Sequence, residues 1–219
     1  MGILMLMIYW DYILAKIHHR YFIHQNQTYP YFIHSYHWTQ YNERSIEIPI
    51  FLDLLNQYQR KQILEVGNVL SHYVHADHTI VDKYETGTHV INRDIVDFTP
   101  ETRYDLIVSI STLEHVGKDE DEKDPNKPIR ALNHLKSLLS SGGLLAVSIP
   151  LGWNNAIDTH IDQGLLHFDK IICFKRSDDG TWSEKPYTSV QGSPYSLKPY
   201  PRQTAIGLVI GYYTKPLSS

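Results

Sequence analysis

An apolar segment that ends in an acidic residue and a glycine is the first candidate binding site in the chain. Residues 63–68 read Ile-Leu-Glu-Val-Gly-Asn, so Glu65 and Gly67 fall where a buried strand would give way to a turn. In an open α/β sheet, ligands bind beyond the carboxyl ends of the strands, and glycine lets the backbone approach them closely. The pattern predicts that Glu65, Gly67 and Asn68 line a cleft. For Glu65, a helix cap or an ion pair with Lys83 is the structural alternative.

Acidic residues also end the next two candidate strands. Asp82 ends the second strand and Asp94 follows the third. An acid after the second strand of such a sheet can accept hydrogen bonds from both hydroxyls of a ribose. We therefore predict a ribose contact for Asp82, with Glu85 as its rival, and a ligand contact for Asp94, with Asp97 as its rival.

Residues 111–116, Ser-Thr-Leu-Glu-His-Val, directly follow the fourth candidate strand. Histidine has an unperturbed pKa near 6.5, which suits it to proton transfer at neutral pH. His115 is thus the first candidate for a base or substrate-orienting residue, with Glu114 beside it. His160 and His167 are the alternatives, and a purely structural role for His115 stays open.

This ordered set of motifs resembles the class I S-adenosylmethionine-dependent methyltransferases. The resemblance covers residues 45–150, and the remaining tail agrees in outline. It implies S-adenosylmethionine as the cofactor and S-adenosylhomocysteine as the product. The positions that it assigns to cofactor binding are Glu65, Gly67, Asn68, Asp82, Lys83, Asp94, Ile95, Ser111 and Leu113.

The resemblance also divides these positions among the parts of the cofactor. Glu65 and Gly67 would lie against the methionine part, Asp82 would hold the ribose, and Asp94 and Ile95 would lie by the adenine. The stretch 111–115 would border both cofactor and acceptor, with Glu114 and His115 as the catalytic candidates.

Arg44 precedes the helix that leads into the first strand of this series. A cation there could meet the carboxylate of the cofactor. An ion pair with Glu43 or Glu47 is the structural alternative.

The glycine loop departs from the family pattern. Val69 and Ser71 stand where the family usually has further glycines. The predicted function is methyl transfer to an oxygen or nitrogen of a small-molecule, glycan or natural-product acceptor. The alternative is a module that binds the cofactor without methylating. A nicotinamide-dependent oxidoreductase is disfavoured because the Gly67 turn lacks the G-x-G-x-x-G pattern.

Alternating strands and helices are predicted to position these residues. The predicted strands are 62–66, 79–81, 89–92, 104–110, 144–149, 170–176 and 205–213, and the predicted helices are 45–55 and 128–139. Continuous apolar runs such as 104–110 are typical of parallel strands covered on both faces. We expect an α/β, Rossmann-like doubly wound sheet, mostly parallel, with the last two strands antiparallel at one edge.

Residues 1–45 differ from the rest because they are crowded with tyrosine and histidine. We expect an aromatic helical cap here, or a lid over a substrate pocket, on a methyltransferase-like domain of residues 46–219. The histidines lack the paired spacing of a metal site, so no metal is expected.

The amino-acid composition limits the classes of partner that we expect for this chain. The 20 Lys and Arg against 24 Asp and Glu give a net charge of −4, which provides no basic footprint for nucleic acid. Cys173 is the single cysteine, which is typical of a reducing, cytoplasmic protein. The apolar N-terminal run is too short to span a bilayer. We expect a small or sugar-like acceptor, with homodimer formation left open.

Overall fold

The computed structural model describes residues 3–17, 20–198 and 203–217. Four α-helices and twelve strands are defined in this part of the chain. In chain order they are α1 (Ile3–Ile17), β1 (Tyr21–His24), β2 (Gln27–Pro30), α2 (Arg44–Gln57), β3 (Ile63–Val66), β4 (Thr79–Asp82), β5 (Val90–Asn92), β6 (Tyr104–Ile110), α3 (Lys127–Leu138), β7 (Leu139–Pro150), α4 (Asn155–Asp162), β8 (Lys170–Arg176), β9 (Trp182–Lys185), β10 (Tyr195–Ser196), β11 (Thr204–Ala205) and β12 (Gly207–Thr214).

An eight-stranded sheet organises the fold, in the order β5-β4-β3-β6-β7-β12-β8-β9. The strands from β5 to β7 pair in parallel, whereas β12 pairs antiparallel with both β7 and β8. The predicted Rossmann-like α/β sheet with an antiparallel edge is confirmed. One strand that the sequence did not predict, β9, extends that edge.

Apolar side chains alternate between the two covered faces of the sheet. Along β6, Ile107 packs into one hydrophobic cluster, and Leu106 and Val108 pack into the other. All three are fully buried. Burial on both faces explains why this strand reads as a nearly continuous apolar run.

The direction in which successive strands are added to the sheet reverses between β3 and β6. From β3 the chain moves outward through β4 to β5, and it then returns to β6 and continues to β7. Loops beyond the carboxyl ends of these two strands diverge, which opens the crevice where ligands bind in such sheets.

The N-terminal segment is only partly helical, so the expectation of a helical cap is wrong for residues 21–30. There β1 and β2 form an antiparallel hairpin, and residues 18 and 19 lie outside the described part. Burial alternates along β1, with Phe22 and His24 facing inward. Gln25 and Asn26 both have positive φ at the two-residue turn, as a tight hairpin requires.

The hairpin packs on the antiparallel edge of the sheet. The rings of Phe22 and Phe174 lie 6.0 Å apart. His24 is buried, and its Nδ1 lies 3.0 Å from a carboxylate oxygen of Glu184, while its Nε2 lies 3.1 Å from the Tyr212 hydroxyl. These contacts join a local hairpin to strands more than 150 residues away.

Within the described ranges, no helix combines the length and the apolar character that crossing a membrane requires.

We predict that Phe174→Ala lowers the free energy of unfolding by about 3–5 kcal/mol, because it removes a fully buried aromatic ring. Ile171→Ala, on the same strand but 41% exposed, should cost less than about 1 kcal/mol. Denaturant unfolding of both variants measures the difference. Equal losses would contradict the role of Phe174 as the anchor between hairpin and sheet.

Candidate functional site

A cleft of about 300 Å³ lies beyond the carboxyl ends of β3, β4 and β6. This is the position that the strand order predicts for a ligand. Its volume falls at the lower end of the range for small-molecule sites. The residues that line it are Arg44, Val66, Gly67, Asn68, Val69, Asp82, Lys83, Tyr84, Glu85, Arg93, Asp94, Ile95, Ser111, Thr112, His115, Val116 and Glu120.

The structure brings most of the predicted site residues together here. Nine of the twelve line the cleft: Arg44, Gly67, Asn68, Asp82, Lys83, Asp94, Ile95, Ser111 and His115. The other three are placed elsewhere. Leu113 is fully buried in the hydrophobic core, and Glu65 is fully buried under the loop. Glu114 lines a neighbouring cavity.

Glu65 organises the loop from beneath instead of lining the cleft. One of its carboxylate oxygens accepts hydrogen bonds from the backbone N–H groups of Val69 and Leu70, and the other lies 2.7 Å from Nε2 of His78. The structural alternative for Glu65, a cap on the turn that follows β3, is thus present, and its contact with the cofactor stays a prediction. The carboxylate turns inward because those orphan N–H groups need an acceptor.

Gly67 occupies a position that no other residue can take without rearrangement. Its φ is +85°, in the left-handed region, and a Cβ added there would lie 2.1 Å from Oγ1 of Thr112. The loops after β3 and β6 therefore meet at this glycine, and the backbone forms a bare floor for the cleft.

Asp82 holds the loop after β4 in place. One carboxylate oxygen accepts hydrogen bonds from the backbone N–H groups of Tyr84 and Glu85, and the other accepts from the N–H of Asn68 at 3.0 Å. The side-chain amide of Asn68 donates to Glu85 at 2.7 Å. Asp82 and its rival Glu85 therefore both face the cleft, as parts of one network.

Four charged side chains form a closed cluster at the far end of the cleft. Lys83 and Lys127 each lie within 2.9 Å of both Asp94 and Glu120. Burial alone would raise the pKa of Asp94, but the hydrogen bonds from Lys127 and Lys83 lower it. Two cations and two anions balance, so this end of the cleft carries no net charge.

Asp94 also caps the short 3₁₀ turn Ile95–Asp97, accepting a hydrogen bond from the N–H of Val96. The buried Ile95 lines the cleft beside it. Asp97, the rival of Asp94, is exposed and does not line the cleft.

A buried carboxylate joins α2 to the end of β6. Glu47 is fully buried, and it accepts hydrogen bonds from Arg44 Nη1 at 2.9 Å and from the Ser111 hydroxyl at 2.6 Å. Arg44 also donates to the carbonyl of Ile110. The ion pair that was the structural alternative for Arg44 is thus present, and Arg44 lines the cleft at the same time. Ser111 has a φ of +40°, a strained conformation for a residue with a side chain.

A second cavity of about 260 Å³ adjoins the cleft. Arg44, Ser111 and His115 belong to the walls of both. The other residues that line the second cavity are His37, Asn42, Glu43, Glu114, Pro150, Trp153, Tyr195 and Gln203. Trp153 thus lines the second cavity, whereas Tyr36 and Trp38 do not.

His115 stands where the two spaces meet. Its Nδ1 lies 2.5 Å from Asp119, and its Nε2 lies 3.6 Å from Glu114. The indole N–H of Trp153 donates to the same oxygen of Asp119 at 3.2 Å. Burial alone would raise the pKa of Asp119, but the hydrogen bonds from His115 and Trp153 lower it. An ionised Asp119 accepts a hydrogen bond from Nδ1–H of His115. In a neutral imidazole of that tautomer, Nε2 is free to act as an acceptor.

The two alternatives to His115 lie outside both cavities. His160 is buried, and its Nε2 donates to the carbonyl of Pro125. His167 is exposed.

Sequence reasoning missed several residues that shape the site. Glu43, Tyr195 and Asp119 were not predicted to belong to the site. Glu43 directly precedes the predicted Arg44 in the sequence, and Asp119 contacts the predicted His115. For Asp119, a spacing of four residues from His115 was the available signal, since such pairs meet on one turn of chain.

No group of three or more histidine, cysteine, aspartate or glutamate side chains in the described part of the chain is arranged to hold a metal ion.

The order of the strands, the antiparallel β12 between β7 and β8, and a cleft at the switch point define a Rossmann-like, doubly wound α/β fold. No family model and no curated protein matches the chain by sequence. Solved structures do match it.

The N-methyltransferase NodS from Bradyrhizobium japonicum, in complex with S-adenosyl-L-homocysteine, is 13% identical. The match covers 81% of this chain and 94% of NodS, with a TM-score of 0.44. The CcbJ methyltransferase from Streptomyces caelestis is 12% identical over 75% of this chain and 87% of its own, with a TM-score of 0.38. An S-adenosylmethionine-dependent methyltransferase from Clostridium acetobutylicum is 10% identical over 77% and 89%, with a TM-score of 0.39.

We predict that Gly67→Ala lowers Tm more than Gly164→Ala does. Both glycines have positive φ, but nothing lies within 4 Å of a Cβ added at Gly164, whereas Thr112 blocks the one at Gly67. The clash should add about 1–3 kcal/mol to the backbone strain that both variants share. Thermal unfolding at one protein concentration measures both. A similar Tm for the two variants would mean that Thr112 moves aside freely.

Proposed function

We propose that this protein is an S-adenosylmethionine-dependent methyltransferase that acts on a small or sugar-like acceptor. The observation that carries the proposal is the shared wall of Arg44, Ser111 and His115 between the cleft and the second cavity. Methyl transfer needs two adjoining sites, one for the donor and one for the acceptor, because the reacting atoms must meet in line.

The cleft has the chemistry that the cofactor requires. Gly67 lines the cleft as bare backbone, and its lack of a side chain lets the loops after β3 and β6 meet there. Asp82 accepts three backbone hydrogen bonds, so about one of its four acceptor positions remains for a ribose hydroxyl, and Glu85 beside it supplies others. We place the adenine near Asp94 and Ile95, and the methionine carboxylate near Arg44.

The bound cofactor would supply an activated methyl group on a sulfonium. The protein's own contribution is to orient the acceptor and to manage its proton. His115, with Asp119 fixing its Nδ1, would receive a proton at Nε2 from an acceptor in the second cavity. The segment 1–45 would act as a lid, since His37, Asn42, Glu43 and Arg44 contribute to that cavity.

The acceptor proposed here is a small molecule, a glycan or a natural-product intermediate in the cytoplasm, and the cavity of about 260 Å³ supports this size. Nucleic acid is disfavoured by the net charge of −4.

A second candidate function is a module that binds the cofactor without transferring its methyl group. The side chain of Val69 lines the cleft where the family usually has glycine, and this observation favours it. Calorimetric titration with S-adenosylmethionine and S-adenosylhomocysteine tests what the two candidates share. We expect micromolar binding of both, about −8 kcal/mol. No binding of either would exclude both candidates.

We predict that Asp82→Ala weakens S-adenosylmethionine binding more than tenfold, because it removes a ribose acceptor and releases the N–H of Asn68. Asp97→Ala, an exposed carboxylate outside the cleft, is the matched control and should bind normally. Calorimetry gives both affinities, and circular dichroism checks the fold. Unchanged affinity in Asp82→Ala would remove the ribose assignment.

We predict that His115→Ala reduces turnover by about 10²–10⁴-fold, the usual contribution of a general base, while cofactor affinity stays within twofold. The measurement is transfer of a radiolabelled methyl group to a panel of small amines and sugars, alongside calorimetry. The exposed His89, outside the cleft, gives the control variant His89→Ala. Parallel loss of binding and turnover would instead indicate a structural histidine.

A further inference from the structure

The second cavity carries more negative than positive charge. Its described wall contains the carboxylates of Glu43 and Glu114, which are 6% and 2% exposed. Arg44 is the one arginine or lysine among the described lining residues, and it is already paired with Glu47 at 2.9 Å. Glu43 and Glu114 are therefore not neutralised by a lysine or arginine of the described wall.

Glu114 has an unused acceptor atom. Its Oε2 is buried and has no hydrogen-bond partner within the described ranges. Its Oε1 lies 3.6 Å from Nε2 of His115, which is beyond hydrogen-bond distance. Buried carboxylates are normally paired, because an isolated buried charge is costly. A ligand that enters the cavity with a cationic donor would satisfy this oxygen.

Glu43 differs from Glu114 in its contacts. It accepts hydrogen bonds from the N–H of Ala205 at 3.1 Å and from the Thr204 hydroxyl at 3.3 Å. These neutral donors satisfy one oxygen of Glu43 without cancelling its charge. Glu43 therefore contributes negative potential, and Glu114 is the group available to a ligand.

The charged groups around Glu114 shift its pKa in opposite directions. Burial raises its pKa well above the usual value; Arg44 opposes this, and Glu47 and Glu43 add to it. Burial, and next Glu47, also raise the pKa of Glu43. Burial and the neighbouring carboxylates thus disfavour the charged forms of Glu114 and Glu43, and a cation bound beside them would offset this effect.

Aromatic rings complete the cavity. The rings of Trp153 and Tyr195 lie 5.1 Å apart in an edge-to-face arrangement, and Trp153 lies 5.5 Å from the ring of His115. Aromatic faces attract cations and cover the carbon skeleton of a ligand. A wall of carboxylates and rings fits a cationic head on an apolar or ring-shaped body.

We infer that the methyl acceptor is an amine, bound in the second cavity as an ammonium whose N–H groups face the free oxygen of Glu114. This inference rests on the proposed function, because it assigns the acceptor class of the same site. An alcohol would offer a single neutral O–H and would leave the two carboxylates without a counter-charge.

Methyl transfer to an ammonium requires that one proton first leave the nitrogen. The ammonium, held by Glu114, gives one proton to Nε2 of His115, which exposes the nitrogen lone pair. The nitrogen bonds to the methyl carbon of the sulfonium donor while the carbon–sulfur bond breaks, and that electron pair remains on sulfur as a neutral thioether. The methylated nitrogen carries the positive charge, and His115 later releases its proton to water.

Cyclohexylamine and cyclohexanol are the matched probes, since they differ by an amino group for a hydroxyl. Each is titrated calorimetrically into the protein saturated with S-adenosylhomocysteine. We expect cyclohexylamine to bind at least tenfold more tightly, and Glu114→Gln to reduce that preference to less than threefold. Glu122→Gln, an exposed carboxylate of the same loop, is the control and should keep the full preference.

Equal binding of both probes, tighter binding of the alcohol, binding of neither, or a preference that survives Glu114→Gln would each overturn the inference. Should Glu114→Gln fail to fold, Glu43→Gln is the second variant, expected to lower the preference at least threefold by reducing the negative potential. The titrations are repeated without S-adenosylhomocysteine. An amine preference that depends on Glu114, in a protein that binds neither form of the cofactor, would refute the proposed function and leave the cation site standing.

Discussion

The buried carboxylate of Glu47 is the interaction on which the rest of the site depends. It receives Arg44 from its own helix and Ser111 from the end of β6, and it is fully shielded from water. Removal of Arg44 would leave an uncompensated buried charge, which is strongly destabilising, and removal of the Ser111 hydroxyl would take a hydrogen-bond donor from the other oxygen. Through this carboxylate, the first turn of α2 is fixed against the strand end where the cleft and the second cavity meet. The positive φ of Ser111 is held by the same contact.

The ion pair between Glu47 and Arg44 also affects how charge is distributed between the cleft and the second cavity. Because Glu47 neutralises Arg44, the guanidinium cannot fully compensate Glu43 and Glu114, and the second cavity remains acidic. At the far end of the cleft, Lys83 and Lys127 balance Asp94 and Glu120. A charge-balanced cluster at one end of the cleft thus contrasts with the excess of acidic side chains in the adjoining cavity, and the two spaces differ in charge as well as in shape.

The sequence predicted the sheet well, because strands buried on both faces leave continuous apolar runs, as β6 does. It did not predict the hairpin β1-β2, since two four-residue strands are too short to establish a period-two pattern among tyrosines and histidines. Nine of the twelve site positions were placed in the cleft. The sequence could not decide which way Glu65 faces, because the spacing of a strand-end acid is the same whether it faces a ligand or its own loop. Glu43 was missed because its partners, Thr204 and Ala205, lie about 160 residues away.

The sparse glycines of the loop after β3 have a physical explanation. Glycine is needed only at Gly67, where Thr112 leaves no room for a Cβ. Elsewhere the loop is shaped by carboxylates: Glu65 binds the N–H groups of Val69 and Leu70 from below, and Asp82 binds that of Asn68 from the side. Hydrogen bonds from these backbone N–H groups to two carboxylates fix the loop conformation, so further glycines are not needed for it. The loop therefore gains side chains without losing its turn, and Val69 can contribute an apolar contact to the cleft that a glycine could not.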